Sequence, residues 1–119
     1  MATVAKRKLS GSTDGLPIKV VATTTAGTTV HTAVAGTTAG TFDEVWLYAY
    51  NGHTASVVLT IEYGGATVPD QNIIVSVANK SGLLLVVPGL LLQNGLVIKA
   101  FAATANVITL SGFVNTITD

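Results

Sequence analysis

The residues of this chain that could carry acid–base or metal chemistry are few, and their spacing keeps them apart. There are two histidines, His31 and His53, in different segments, and neither belongs to an H-x-x-x-H spacing that would bring two imidazoles to one ion. His53 sits in a glycine-containing turn and reads as an exposed loop residue. His31 alternates with Val30, which places it on the polar side of its strand. Asp43 and Glu44 are adjacent, so on a strand they point to opposite faces and cannot share a proton or a metal. Glu44 and Glu62 could form a carboxylate pair across a hairpin, but catalysis by such a pair needs a pocket that drives its pKa values apart. Nothing near them in sequence suggests one. Serine and threonine are abundant, yet there is no G-x-S-x-G and no lysine or histidine placed to activate a hydroxyl. Gly11–Leu16 lacks the Gly-Lys-Ser/Thr ending of a phosphate loop. With no cysteine, thiolate ligands, thiol nucleophiles and disulfides are excluded together. The expectation is a chain that is not an enzyme and has no catalytic residue, no metal site and no cofactor.

Composition points to surfaces. Charged residues make up 10% of the 119 positions, against about 25% in an average soluble domain. Six acids balance six bases, so the chain carries no net field that would attract polyanions. Threonine, alanine and glycine fill the places where lysine and glutamate normally stand. That suits a protein packed against neighbours, where unpaired charges would have to be desolvated; a surface hydrated through hydroxyls is the alternative. Lys6, Arg7 and Lys8 cluster half of the basic charge, but no aromatic residue lies among them to stack on bases, so no nucleic-acid partner is expected. No apolar signal-type segment follows them, and the apolar run Gly82–Leu92 is too short to span a bilayer and contains Pro88. A membrane partner is therefore not expected, and the sequon Asn79-Lys80-Ser81 reads as chance.

The elements that must position these residues are strands. Residues 1–16 read as an N-terminal arm, rich in turn formers and without periodicity, and residues 17–119 as one domain. Ile18, Val20 and Ala22 alternate with Lys19 and Thr23, and Val30 and Val34 continue the pattern. Phe42–Tyr63 reads as a hairpin: Val45, Leu47 and Ala49 share one face of the first strand, and Val57, Leu59 and Ile61 one face of the second. Pairing 47 with 59 around an odd-length loop unites both apolar rows, at the cost of Glu44 facing Glu62. Trp46, Tyr48 and Tyr50 then stand in line on the other face, more aromatic than a solvated face requires. Ile73, Val75 and Val77 alternate with Ile74 and Ser76. Leu83–Leu92 is apolar on both faces, as for a strand covered on both sides, and Pro88 demands a bulge, a break or an edge there. Asn94-Gly95 signals a type I′ turn, and Gly112 marks a bulge or close backbone approach in the last strand. About eight strands with glycine-rich turns and no helix predict an all-β, two-sheet antiparallel sandwich, jelly-roll-like, with an extended N-terminal arm.

The segments Leu9–Val20, Asp43–Ala49, Leu59–Gly65, Val87–Leu90 and Ala105–Ile108 resemble the small structural proteins of tailed-bacteriophage heads that decorate or cement the capsid shell. The resemblance implies a virion protein on the outer surface of the capsid, bound to the major capsid protein and associated as a homo-oligomer, a trimer at local three-fold axes. It transfers no catalytic or metal residue. The expected contacts are Val4, Lys6, Arg7, Lys8 and Leu9 from the arm, with Trp46, Tyr48 and Tyr50 from the aromatic row. The competing expectation is a carbohydrate-binding or host-attachment sandwich of a head fibre, neck or tail, with the same aromatic row as a sugar platform.

Overall fold

The computed structural model describes residues 2–119 and contains nine strands and no helix among them. They are β1 (Thr3–Lys8), β2 (Ile18–Lys19), β3 (Thr28–Thr32), β4 (Phe42–Asn51), β5 (Val57–Tyr63), β6 (Asn72–Val77), β7 (Leu84–Leu92), β8 (Val97–Ala102) and β9 (Ile108–Thr118). Two antiparallel sheets hold them. One runs β1-β9-β4-β7 with β2 also on β9, and the other runs β3-β8-β5-β6. The pairings nest: β2 with β9, β3 with β8, β4 with β7, and β5 with β6. A ribbon folded back on itself in this order is a jelly roll, as the sequence led us to expect, with β1 added at one edge.

Strict alternation builds the core. In β4, Val45, Leu47 and Ala49 are fully buried, as are Leu59 and Ile61 of β5, Ile98, Ala100 and Ala102 of β8, and Ile108 and Leu110 of β9. Each large aliphatic side chain removed from water contributes about 1.5–3 kcal/mol. At the centre of the longest pairing, β4 with β9, the register runs unbroken from Phe42↔Ile117 to Asn51↔Ile108. Gly112 lies opposite Leu47 there, and a Cβ on it would run into the Trp46 carbonyl. The glycine therefore marks a close backbone approach.

Several expectations are corrected. The hairpin Phe42–Tyr63 does not form: β4 and β5 belong to different sheets, so the segment between them crosses the sandwich and Glu44 does not face Glu62. Alternation defines which side of a strand is buried but not which strand lies beside it. The N-terminal segment is extended, yet it is not outside the sandwich. All six residues of β1 pair with β9, and Leu9 is buried in the core. His31 is also buried, at 4% exposure. The pairing of β3 with β8 shifts register between Thr29 and His31, and this bulge turns Val30 and His31 inward together. Finally, β7 is an edge strand, not one covered on both sides, and Leu84, Leu85, Leu90 and Leu91 are exposed. Pro88 lies in it between two register shifts, consistent with both the edge and the bulge that proline demanded. Asn94 and Gly95 take φ values of 65° and 66°, the conformation of a type I′ turn, but they join strands of opposite sheets.

Candidate functional site

The outer face of the five-stranded sheet gathers most of the aromatic side chains. Because Val45, Leu47 and Ala49 face the core, Phe42, Trp46, Tyr48 and Tyr50 face outward, each half-buried among its neighbours. The continuous register with β9 sets Phe113 directly opposite Trp46, and their rings lie nearly parallel, 15° apart, with centroids separated by 6.2 Å. Lys6 Nζ stands 4.3 Å from the Phe113 ring centroid, a cation–π contact that covers that ring. On the β7 side, Trp46 lies over Gly89, where a Cβ would stand 2.8 Å from the indole. A glycine there lets the indole lie flat against the sheet.

Polar groups fix this arrangement. Trp46 Nε1 donates to Glu44 Oε1 at 2.9 Å, and Asn115 Nδ2 donates to the same oxygen at 3.0 Å. These two bonds, Asn115 first, hold the Glu44 carboxyl below its ordinary range, against a smaller opposing effect of desolvation. The carboxylate thus orients the indole in its plane and remains accessible from solvent. Leu85 and Leu91 of β7 stand opposite Tyr48 and Glu44 and extend the face with apolar surface.

The expected contact residues are divided by the pairing. Trp46, Tyr48 and Tyr50 share the open face, and Val4, Lys6 and Lys8 join it, opposite Ile117, Asn115 and Phe113. Arg7 stands opposite the buried Val114 and points to the other side, where it lines a cleft of about 470 Å³ beside His31. Leu9 has 1% of its surface exposed and no contact to offer a partner. Sequence reasoning missed Phe113, Glu44 and Asn115 as parts of the face. Their positions on their own strands were readable, but the register that brings β9 beside β4 was not.

A second polar cluster lies in the sandwich edge behind that cleft. His31 Nε2 and Asp43 Oδ2 are 2.7 Å apart, Thr116 Oγ1 donates to Asp43 Oδ1 at 2.8 Å, and the Val34 amide donates to Oδ2 at 3.2 Å. The Ser10 amide donates to His31 Nδ1 at 2.9 Å, so Nδ1 holds the lone pair and Nε2 carries the hydrogen given to Asp43. A histidine held by an aspartate resembles part of a nucleophile-activating chain. Here, however, the group at Nδ1 is a main-chain amide, and Ser10 Oγ accepts instead from the Thr32 amide at 2.7 Å. The cluster pins the end of β1 to β3 and β4. No group of three or more potential metal ligands occurs among the described residues. Comparison with protein-family models, with curated proteins and with solved structures returned no match.

Proposed function

We propose that this chain is a structural protein that docks on the outer surface of a phage-type capsid shell and stabilises it through protein–protein contact. The observation that carries the reading is the open outer face of the five-stranded sheet, where Trp46, Tyr48, Tyr50 and Phe113 continue into the exposed Leu85 and Leu91 of β7. Aromatic side chains dominate the energetics of protein contacts because they bury large areas at little conformational cost. A contiguous apolar patch of this kind marks an interaction site. Between Lys80 and Lys99 the sequence carries no charge, so the β7 part of this face can be buried without stripping water from an ionised side chain of its own; Glu44 and Lys6 are charged groups in the rest of it. The resemblance to head decoration proteins supplies the setting, and the sandwich is compatible with it without requiring it.

The test is co-sedimentation with shells assembled from the major capsid protein of the same virus. Trp46→Ala and Tyr48→Ala should each weaken binding at least tenfold, the effect of losing about 1.4 kcal/mol or more at an interface anchor. Alanine at Lys6 and Lys8 should weaken it less, and the loss should shrink in high salt. Binding that survives both aromatic substitutions would reject the reading. Quenching of Trp46 fluorescence by oligosaccharides, with none on addition of shells, would favour the sugar-platform alternative instead.

A further inference from the structure

We propose that two copies of this chain associate edge to edge along β7, about a two-fold axis through Pro88, making one sheet with one continuous aromatic face. The proposal takes its purpose from the docking reading above, but the association it describes needs no shell.

β7 is hydrogen-bonded to β4 alone, so its other side is an open edge. Such an edge normally carries protective charge. The opposite edge of the same sheet does: β1 presents Lys6, Arg7 and Lys8 in succession. A two-fold contact brings each edge against itself, so pairing along β1 would crowd six cations, three from each copy, onto one short seam. β7 has no such obstacle. It lies within the uncharged stretch between Lys80 and Lys99 and presents Leu84, Leu85, Leu90 and Leu91 to solvent.

The pattern of β7 also suits its own reversal, which favours a second copy over an unrelated partner. In an antiparallel pair related by a two-fold axis, the residue on the axis faces itself. With Pro88 there, Leu85 of one copy faces Leu91 of the other, and Leu84 faces Leu92. Leu85 and Leu91 stand opposite Tyr48 and Glu44 within their own sheet, so both belong to the outer face, and the register keeps them on the same side in the pair. Val87, whose side chain is buried in its own core, comes opposite Gly89, which carries no side chain of its own. Pro88 has no amide hydrogen to give, so main-chain bonding is confined to the two runs flanking the axis. The pair then closes: the edges left open at its ends are the two basic β1 strands, which resist further addition. Two-fold closure takes the place of the three-fold association implied by the resemblance. One strand per copy is a smaller contact than the ~800 Å² per partner of a standard interface, so the association is expected to be reversible at micromolar concentration. On a shell, two aromatic faces held together would bind with avidity.

Analytical ultracentrifugation of the isolated chain across the micromolar range should show the mass rising toward twice that of the chain. Leu85→Lys, at a site already exposed to solvent, should weaken the association at least tenfold while leaving the far-ultraviolet circular dichroism unchanged. Lys6→Ala should leave it unchanged. The register has its own test, because the chain has no native cysteine. The double variant Leu85→Cys, Leu91→Cys should form a disulfide-linked dimer on mild oxidation. Leu85→Cys alone should not, since position 85 faces position 91 of the other copy and not itself. A monomer at every concentration, a trimer, or association unaffected by Leu85→Lys would overturn the proposal. A dimer in which Leu85→Cys alone cross-links as well as the double variant would overturn the Pro88 axis. Shell binding by a strictly monomeric chain would leave the docking reading standing alone, and a dimer that ignores shells would do the reverse.

Discussion

Glu44 and Glu62 sit on the outer faces of opposite sheets, and the chain treats them differently. Around Glu62 the segment before β3 folds over: Thr25 Oγ1 donates to one carboxylate oxygen at 2.6 Å and the Gly27 amide to the other at 2.7 Å. Gly27 passes so near the Ala100 backbone that a Cβ would stand 2.6 Å from it. Glu62 ends at 3% exposure and its neighbour Thr60 at 6%, although both lie on the outward side of β5. Around Glu44 nothing folds over. Its carboxylate takes bonds from Trp46 and Asn115 in the plane of the sheet, and the aromatic row beside it stays uncovered. The same chain covers this part of one outer face with its own loop, while Val58 and Ile74 on that face stay exposed, and leaves the more aromatic face open. The difference supports the proposal that the open face is the working surface, because a face rich in large aromatic groups is the one a solitary protein has most reason to hide.

The largest loss is expected where β9 meets β4. Gly112→Ala drives a methyl group into the Trp46 carbonyl and should pry β9 from β4 beneath the open face, costing about 3 kcal/mol in a denaturant titration. A cost near zero would mean that the two strands are not held at this separation. On the covered face, Glu62→Ala leaves the Thr25 hydroxyl and the Gly27 amide without their acceptor, a loss of about 2 kcal/mol. It should also raise hydrogen exchange at residues 23–27, with no change at Trp46.

Smaller effects sharpen the contrast. The Tyr63 hydroxyl is buried with no hydrogen-bond partner among the described residues, and burial, helped by the Asp43 charge, pushes its pKa upward. The folded state therefore favours the neutral phenol. That contribution is intact below the ordinary value of 10.0 and is lost as pH climbs above it toward the folded value. Tyr63→Phe should leave stability at neutral pH unchanged or slightly raised and remove the alkaline loss, as thermal melts on either side of pH 10 would reveal. On the open face, Glu44→Gln should leave the melting temperature unchanged. Its signature is optical: in the native chain Trp46 emission should titrate with a midpoint below 4.5, and in the variant that transition should vanish.

Much of this was legible in the sequence. The inward and outward sets of β4, β5 and β6 follow from alternation, and Gly112 and Pro88 announced a close approach and an irregular edge. Partnership between strands was not legible. The loop between Asn51 and Val57 has the length of a hairpin, yet it carries the chain from one sheet to the other, because Leu47 and Leu59 fill the core from opposite sides. His31 misled for a local reason, since one extra residue at a bulge reverses the face. The arm misled through its polar composition: Thr3–Lys8 remains exposed throughout but pairs with β9, and Leu9 and Ser12 anchor its end. Within the aromatic row, Trp46, Tyr48 and Tyr50 could be read from β4 alone, whereas Phe113, Lys6 and Asn115 needed a register that no local pattern encodes.

The central claim is that the open face of the five-stranded sheet is buried on assembly, and the single tryptophan of the chain stands in the middle of it. The direct measurement is Trp46 emission and its quenching by acrylamide, with and without shells of the major capsid protein. A blue shift with strong protection from acrylamide on shell binding is the predicted result. Binding that leaves Trp46 emission and its accessibility as they are in the free chain would contradict the claim.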